Sequence, residues 1–325
     1  MQYTRLGSTG LEVSQLCLGC MNFGTGKEWM LGDRDTGIDI IHRALDMGIN
    51  FLDTANVYSC GESESIVGEA IDGYDRDQLV IATKVFGPMG DGPNRQGLSR
   101  KHIIDQAEAS LDRLGTDYID LYQIHRWDEH TPIEETLSAL DSLVTAGKVR
   151  YIGASTMAGW QFSKALHTAT VEGYERFVSM QPEYSLISRH EEENLLPICA
   201  DTGIGVLPWS PLADGVLTGK YDRNGSMPAN TRGETFERVR ERLTENAWQV
   251  LDVVNDIARE HNATPAQISL AWLLHKPVVD APIMGPRTMA HLEANVGALE
   301  LELTDEEIER LEAPLTPRWR AEDSQ

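Results

Sequence analysis

Asp53, Tyr58, Lys84 and His125 are the residues of this chain whose types and spacing could do chemistry. Each stands at, or just beyond, the end of an apolar run. Asp53 closes Ile49 to Leu52, and Tyr58 follows by one turn of loop. Lys84 closes Leu79 to Thr83, and His125 closes Tyr118 to Ile124. An acid, a phenol, an amine and an imidazole in one place could move a proton. A phenol with a reference pKa of about 10 is a poor acid at neutral pH, and a neighbouring ammonium lowers that value by about 1–3. Lys84 can supply the ammonium and Asp53 its counter-ion. His125 can donate to a carbonyl oxygen that develops negative charge. Taken singly, an Asp can cap a loop, a Tyr can pack, a Lys can lie on a rim and a His can sit satisfied in a core. Their arrival together at the ends of three successive strands favours proton transfer.

The elements that must position them alternate from about residue 15 to residue 300. Apolar runs predict strands at 16–22, 49–54, 79–85, 118–125, 149–155, 176–182, 203–209 and 279–284. Most are continuously apolar, as parallel strands buried on both faces should be. Between them, helical spacing or capping signals predict helices at 35–46, 99–114, 132–146, 159–172, 190–200, 264–275 and 288–298. Eight β-α units in one run predict an α/β fold, a (β/α)8 TIM barrel, with residues 1–325 as a single domain. In such a barrel, chemistry collects at the C-terminal ends of the strands. Three segments fall outside the repeat. Residues 1–14, with Gly7, Ser8 and Gly10, predict an N-terminal β-hairpin that plugs the barrel bottom. Residues 214–261 form a long insertion after the seventh strand. It is a loop marked by Gly215, Gly219, Gly225, Pro228 and Gly233, then a charged helix from Glu237 to His261. Residues 304–325 predict a C-terminal helix with a Thr304–Glu307 capping box and then a tail holding Pro314, Pro317 and Trp319.

Bulk properties exclude several classes. The chain carries 51 acids against 28 bases, a net charge of −23, and only seven of those bases are lysines. Such a field repels phosphate backbones and argues against nucleic-acid binding. Acidity with scarce lysine is similar to proteins of salt-loving organisms, in which salt screens the repulsion among carboxylates. No apolar run approaches the roughly 18–20 residues of a membrane helix, and the N-terminus opens no signal segment, so a cytoplasmic location is expected. Cys17 and Cys20 form a C-x-x-C that could be a redox pair or half a zinc site. With no second pair to complete it, small apolar filler in a strand is the favoured reading, and no metal site is expected. His125 and His130 lack partners at ligand spacing, which weighs against a metal-dependent barrel hydrolase or isomerase. Gly26-Lys27 and Gly219-Lys220 are followed by Glu28 and Tyr221, so neither is a phosphate-binding P-loop. No G-x-S-x-G elbow is present.

The ordered words Phe51-Leu52-Asp53-Thr54-Ala55-Asn56-Val57-Tyr58, Ala82-Thr83-Lys84-Val85 and Asp120-Leu121-Tyr122-Gln123-Ile124-His125 resemble the aldo-keto reductase superfamily. The resemblance continues through Leu114 to Asp120, Gly153-Ala154-Ser155, Gln181-Pro182-Glu183-Tyr184, Ser210-Pro211-Leu212, Leu217 to Lys220, and Gly285 to Asn295. It implies a barrel that binds a nicotinamide cofactor and reduces aldehydes or ketones. Tyr58 would be the general acid, Lys84 its neighbour, Asp53 the partner of Lys84, and His125 the residue orienting the carbonyl. It further implies Ser155 and Gln181 on the carboxamide, and Tyr184 stacked under the nicotinamide. Ser210, Leu212 and Lys220 would lie on the pyrophosphate, and Arg287, His291 and Asn295 at the adenosine end. A forked guanidinium suits a 2′-phosphate, so Arg287 favours NADP(H), with NAD(H) open. Thr156, His291 and Ala294 depart from the family's usual residues. Asn22, Phe23, Trp29, Trp127 and Trp209, with Trp319 reaching over from the tail, are expected to wall a substrate pocket. The family also contains members similar to potassium-channel β subunits, which keep the same four residues, so a nicotinamide-sensing regulatory subunit is the alternative. Oligomeric state is not legible.

Overall fold

The computed structural model describes residues 1–25, 30–223, 227–229 and 231–315, without the side chain of Thr235. In chain order the elements begin with β1 (Tyr3–Arg5), β2 (Glu12–Ser14), β3 (Cys17–Gly19), α1 (Arg34–Asp46), β4 (Phe51–Asp53) and α2 (Glu62–Ile71). Next come β5 (Val80–Val85), α3 (Arg100–Leu114), β6 (Ile119–Ile124), α4 (Ile133–Thr145), β7 (Val149–Ser155), α5 (Gly159–Glu172), β8 (Ser179–Gln181), α6 (Leu195–Thr202) and β9 (Gly205–Val206). The chain continues with α7 (Arg232–Thr235), α8 (Glu237–Arg242), α9 (Glu245–Glu260), α10 (Pro265–His275), β10 (Ile283–Met284), α11 (Met289–Val296) and α12 (Asp305–Glu312).

Eight strands pair in parallel in the order β10-β3-β4-β5-β6-β7-β8-β9. A parallel bridge links Val206 of β9 to Val279 in the segment leading into β10. The Asp280 N–H donates to the Val206 carbonyl at 3.0 Å and the Ile283 N–H to that of Pro208 at 2.9 Å. The sheet thus closes into the expected (β/α)8 barrel. Every residue of β5 and β6 is buried, which explains why they are mainly apolar; Thr83, Lys84, Asp120 and Gln123 are the exceptions, each in a hydrogen bond.

Side chains of a strand alternate faces, so every second residue points into the barrel. That alternation divides the interior into two layers. The lower is apolar: Cys17, Phe51, Val80, Ala82, Leu121, Leu207, Ala281 and Ile283 pack with Leu6 and Val13 of the hairpin. Two residues further along β4, β5 and β6 the same face carries Asp53, Lys84 and Gln123. The β1–β2 hairpin (Tyr3 opposite Ser14) therefore plugs the bottom, as expected. It is fastened by Gly7, whose N–H donates to Asp280 Oδ2 at 2.8 Å. Gly7 has φ +52, and a Cβ there would lie 2.5 Å from the Gly205 nitrogen, so no other residue fits this approach.

Several boundaries move. Seven of the eight strands are shorter than their apolar runs, because those runs continue into loops that leave the ladder. The sequence reading placed no helix between the second and third strands, yet α2 lies there. Its inward face includes Ser63 and Glu64, which blur the apolar stripe. Glu64 is buried because the Arg113 side chain (2.6 Å) and the Thr83 hydroxyl (2.5 Å) donate to it. The helix expected at 190–200 is a short turn at His190–Glu193 followed by α6. The helix expected at 237–261 is broken into α8 and α9 at Leu243–Thr244, where Thr244 caps α9 by accepting from the Ala247 N–H. The Thr304–Glu307 capping box forms as expected. Gly225, Trp29, Pro317 and Trp319, with the rest of the tail, lie outside the described residues.

Candidate active site

Asp53, at the end of β4, and Lys84, in β5, are both buried, the lysine completely. Register places Asp53 opposite Ala82, so the long Lys84 side chain reaches back to it across one strand. The ammonium donates to Asp53 Oδ1 at 2.5 Å, to the Thr54 carbonyl at 2.9 Å and to the Tyr58 hydroxyl at 3.2 Å. An ammonium has three protons, so all are used. The other carboxylate oxygen of Asp53 accepts from Gln123 Nε2 at 3.0 Å and Gln181 Nε2 at 2.9 Å. Tyr58 opens a tight turn in which Ser59 and Cys60 take left-handed φ values of 47° and 55°. Its ring meets that of His125 edge to face at 5.7 Å. The four expected residues are therefore brought together.

The electrostatics follow from burial. Desolvation works against the Lys84 ammonium, but Asp53 and then Tyr58 outweigh it and its pKa is raised. Burial likewise raises the Tyr58 phenol; Lys84 pulls it back, but less strongly. The lowering expected from Lys84 is thus present and is outweighed. Burial, then Lys84 and Arg126, push the His125 imidazole down to about 3, so it is neutral at physiological pH.

Ser155 ends β7, and its hydroxyl donates to the Gln181 carbonyl at 2.9 Å. Ser210 and Leu212 open the loop after β9, where Ser210, Ala213 and Asp214 all have left-handed φ. Seven of the eight non-glycine residues with such φ among the described ones lie in loops after β4, β5, β7 and β9. Backbone strain concentrated in this way marks functional loops. Lys220, Arg287 and His291 are near enough for Lys220 and Arg287 both to depress the His291 imidazole, after burial. Asn295 is buried in α11. This group of cations, in a strongly acidic chain, suits phosphates.

Other expected positions fall elsewhere. Tyr184 is 1 % exposed; its hydroxyl donates to Glu192 at 2.6 Å and its ring packs on Trp272 at 5.2 Å. It offers no free face for stacking. Asn22 is buried and ties the loop after β3 to the Pro286 carbonyl at 2.8 Å. Phe23 is fully buried in the layer between strands and helices. Neither walls an open pocket. Trp209, just beyond β9, remains half-buried and bridges to Glu183. Its indole N–H is buried without a partner. Trp127 faces the exposed Trp160 at 6.0 Å. The two line a cleft of about 430 Å³ with Asp128, His130 and Lys164, and none of the quartet lines it.

Sequence reading gave no role to Gln123 or Asp214. Gln123 could have been found from alternation, because Leu121, Gln123 and His125 share one face of β6. Asp214 is buried and accepts from Arg232 and Arg238 at 3.0 Å and from Arg242 at 3.1 Å. These partners are distant in sequence, and no short motif announces them. Among the described residues no cluster of three or more His, Cys, Asp or Glu could hold a metal ion, and no helix is long and apolar enough to cross a membrane.

A model described as "Aldo/keto reductase family" matches residues 15–315. The chain is 39% identical to a versiconal hemiacetal acetate reductase of Aspergillus parasiticus, covering 98% of each. It is 43% identical to the oxidoreductase YrpG of Bacillus subtilis, covering 96% of this chain and 94% of the other. It is 40% identical to an aldo-keto reductase of Alternaria alternata, covering 96% and 91%.

Proposed function

Because this chain belongs to the aldo/keto reductase family, whose members act on small carbonyl compounds with nicotinamide cofactors, we propose that it reduces an aldehyde or ketone to the alcohol, with Tyr58 as general acid and NADPH as the favoured cofactor. The observation that carries this reading is the Lys84 ammonium, held at once by Asp53 and by the Tyr58 hydroxyl. Because Lys84 donates to the phenol oxygen, the phenol's own hydrogen is directed elsewhere and is available to a substrate oxygen. The raised pKa keeps Tyr58 protonated at neutral pH, the form that reduction needs. As the proton leaves, the adjacent ammonium stabilises the phenolate. His125, held neutral, keeps an N–H that can donate to the same carbonyl oxygen as charge develops. Asp53 keeps Lys84 charged in a site where burial would otherwise neutralise it.

The reduced nicotinamide supplies the hydride when bound. Ser155 and Gln181 would hold its carboxamide, the strained loop from Ser210 to Asp214 with Leu212 and Lys220 the pyrophosphate, and Arg287, His291 and Asn295 the adenosine end. Trp209, not Tyr184, is the aromatic surface we assign to the nicotinamide, since it is the one left half-exposed at a strand end. A Trp209→Ala variant is expected to raise the cofactor Kd at least several-fold, and Tyr184→Phe to leave it nearly unchanged; the reverse order would restore Tyr184. The Lys220 and Arg287 cations favour a 2′-phosphate, so kcat/KM should be higher with NADPH than with NADH; a clear preference for NADH would overturn this assignment.

General acids contribute typically about 10²–10⁴ in rate. Tyr58→Phe should lose kcat on that scale while cofactor fluorescence titration shows unchanged binding. A variant with near wild-type kcat would remove Tyr58 from the role.

A further inference from the structure

Beside the catalytic face, and outside the site described above, lies a second cavity of about 210 Å³. The loop after β5 forms one wall with Pro93, Asn94 and Arg95; α3 forms the other with Lys101, His102, Asp105 and Gln106. Three observations suggest that this cavity is built to hold something. His102 is 1 % exposed, yet its Nε2 has no hydrogen-bond partner. A buried polar atom left unpaired is costly, so such atoms usually have a ligand or water. Arg95 is exposed, and among the described residues no acid lies within ion-pair distance of it. Finally, the floor touches the catalytic loop: Gln106 accepts from the Asn56 side chain at 3.0 Å, and Asn56 sits two residues before Tyr58.

The charges and hydrogen-bonding roles define what fits. The backbone carbonyls of Asn94 and Gly87 face the His102 ring and favour its protonated form. Burial holds that ring neutral. A neutral ring has one N–H; with that N–H turned to the loop carbonyls, the unpartnered Nε2 offers a lone pair and takes a donor. The rim presents the opposite requirement. Arg95 brings an unpaired guanidinium, and Lys101, already 2.8 Å from Asp105, keeps further protons. A metal cation would meet two positive charges and one neutral nitrogen, the single lining carboxylate, Asp105, being held by Lys101, and a plain carboxylate would leave Nε2 unpaired. We propose that this cavity binds a small oxyanion that carries one hydroxyl, hydrogen phosphate being the simplest case. The O–H donates to His102 Nε2, and the charged oxygens accept from Arg95 and Lys101.

The test is calorimetric titration of inorganic phosphate into the full-length protein saturated with NADPH, so that the cofactor's own cations are occupied. Binding of one phosphate per chain is expected, at least ten-fold weaker in Arg95→Ala and in His102→Phe and unaltered in Arg287→Ala. Acetate should not compete. Arg95 lies on an exposed loop, so its replacement leaves the fold intact even if His102→Phe does not. Absence of saturable binding, binding that survives Arg95→Ala, or binding lost in Arg287→Ala would each overturn the site. None of these outcomes depends on turnover, so the result is separate from the proposed reduction.

Discussion

At His125 the barrel holds an imidazole that resists protonation throughout the physiological range, and this has a consequence for stability. Its folded-state pKa of about 3 lies below the ordinary 6.5. Between those values the unfolded chain binds a proton that the native state refuses. The contribution is complete above pH 6.5 and is lost as pH falls towards 3. Denaturation midpoints should therefore decline over that interval, and less steeply in His125→Gln. An equal slope in both proteins would mean that other groups set the acid limit. The quartet was readable in the sequence because each member closes or closely follows an apolar run and carries a distinctive functional group. Tyr184 was misread for a related reason: an aromatic ring near a strand end looks the same in sequence whether it faces the cavity or, as here, Trp272 and Glu192. Phe23 and Asn22 differ from the quartet in the same way. Only packing decides which side of a loop a side chain takes.

At the scale of elements, the segment between β9 and α10 is anchored on one buried carboxylate. Asp214 gathers arginines from α7 and α8, and Arg242 also pairs with Glu183 at the end of β8. Removing the shared acceptor leaves several cations facing one another. Asp214→Ala should cost about 1–3 kcal/mol, the range for hydrogen bonds to charged groups, reduced because the arginines are partly exposed. Amide exchange should accelerate first in residues 232–242; uniform acceleration along the chain would show that the anchor is not local. Helices were legible where a cap or a clean stripe marked them. Thr304 with Glu307 and Ser99 before α3 are examples. α2 was missed because two of its inward positions are Ser63 and Glu64, whose polarity is satisfied by Thr83 and Arg113, residues far along the chain. The break between α8 and α9 was missed because Leu243 continues the helical pattern that Thr244 ends.

For the whole molecule, the dominant physical fact is the charge of −23. Ion pairs such as Arg34–Glu69 and Arg43–Glu293 use several of the scarce bases, and acids still outnumber bases 51 to 28. Salt screens their mutual repulsion. The denaturation midpoint should therefore rise between about 0.1 M and molar potassium chloride; a flat response would sink the idea of a chain adapted to salt. The barrel was legible because eight buried strands impose eight apolar runs; the particular contacts that close it, around Val206 and Val279, span a long insertion and have no local pattern. The hairpin fastened through Gly7 carries one further implication, for the order in which the chain can fold. Its partners, Gly203, Gly205 and Asp280, all lie beyond residue 200 of 325. During synthesis the first fourteen residues leave the ribosome long before the surface they cover exists, so the apolar side chains of Leu6 and Val13 must wait uncovered until nearly every other strand is in place.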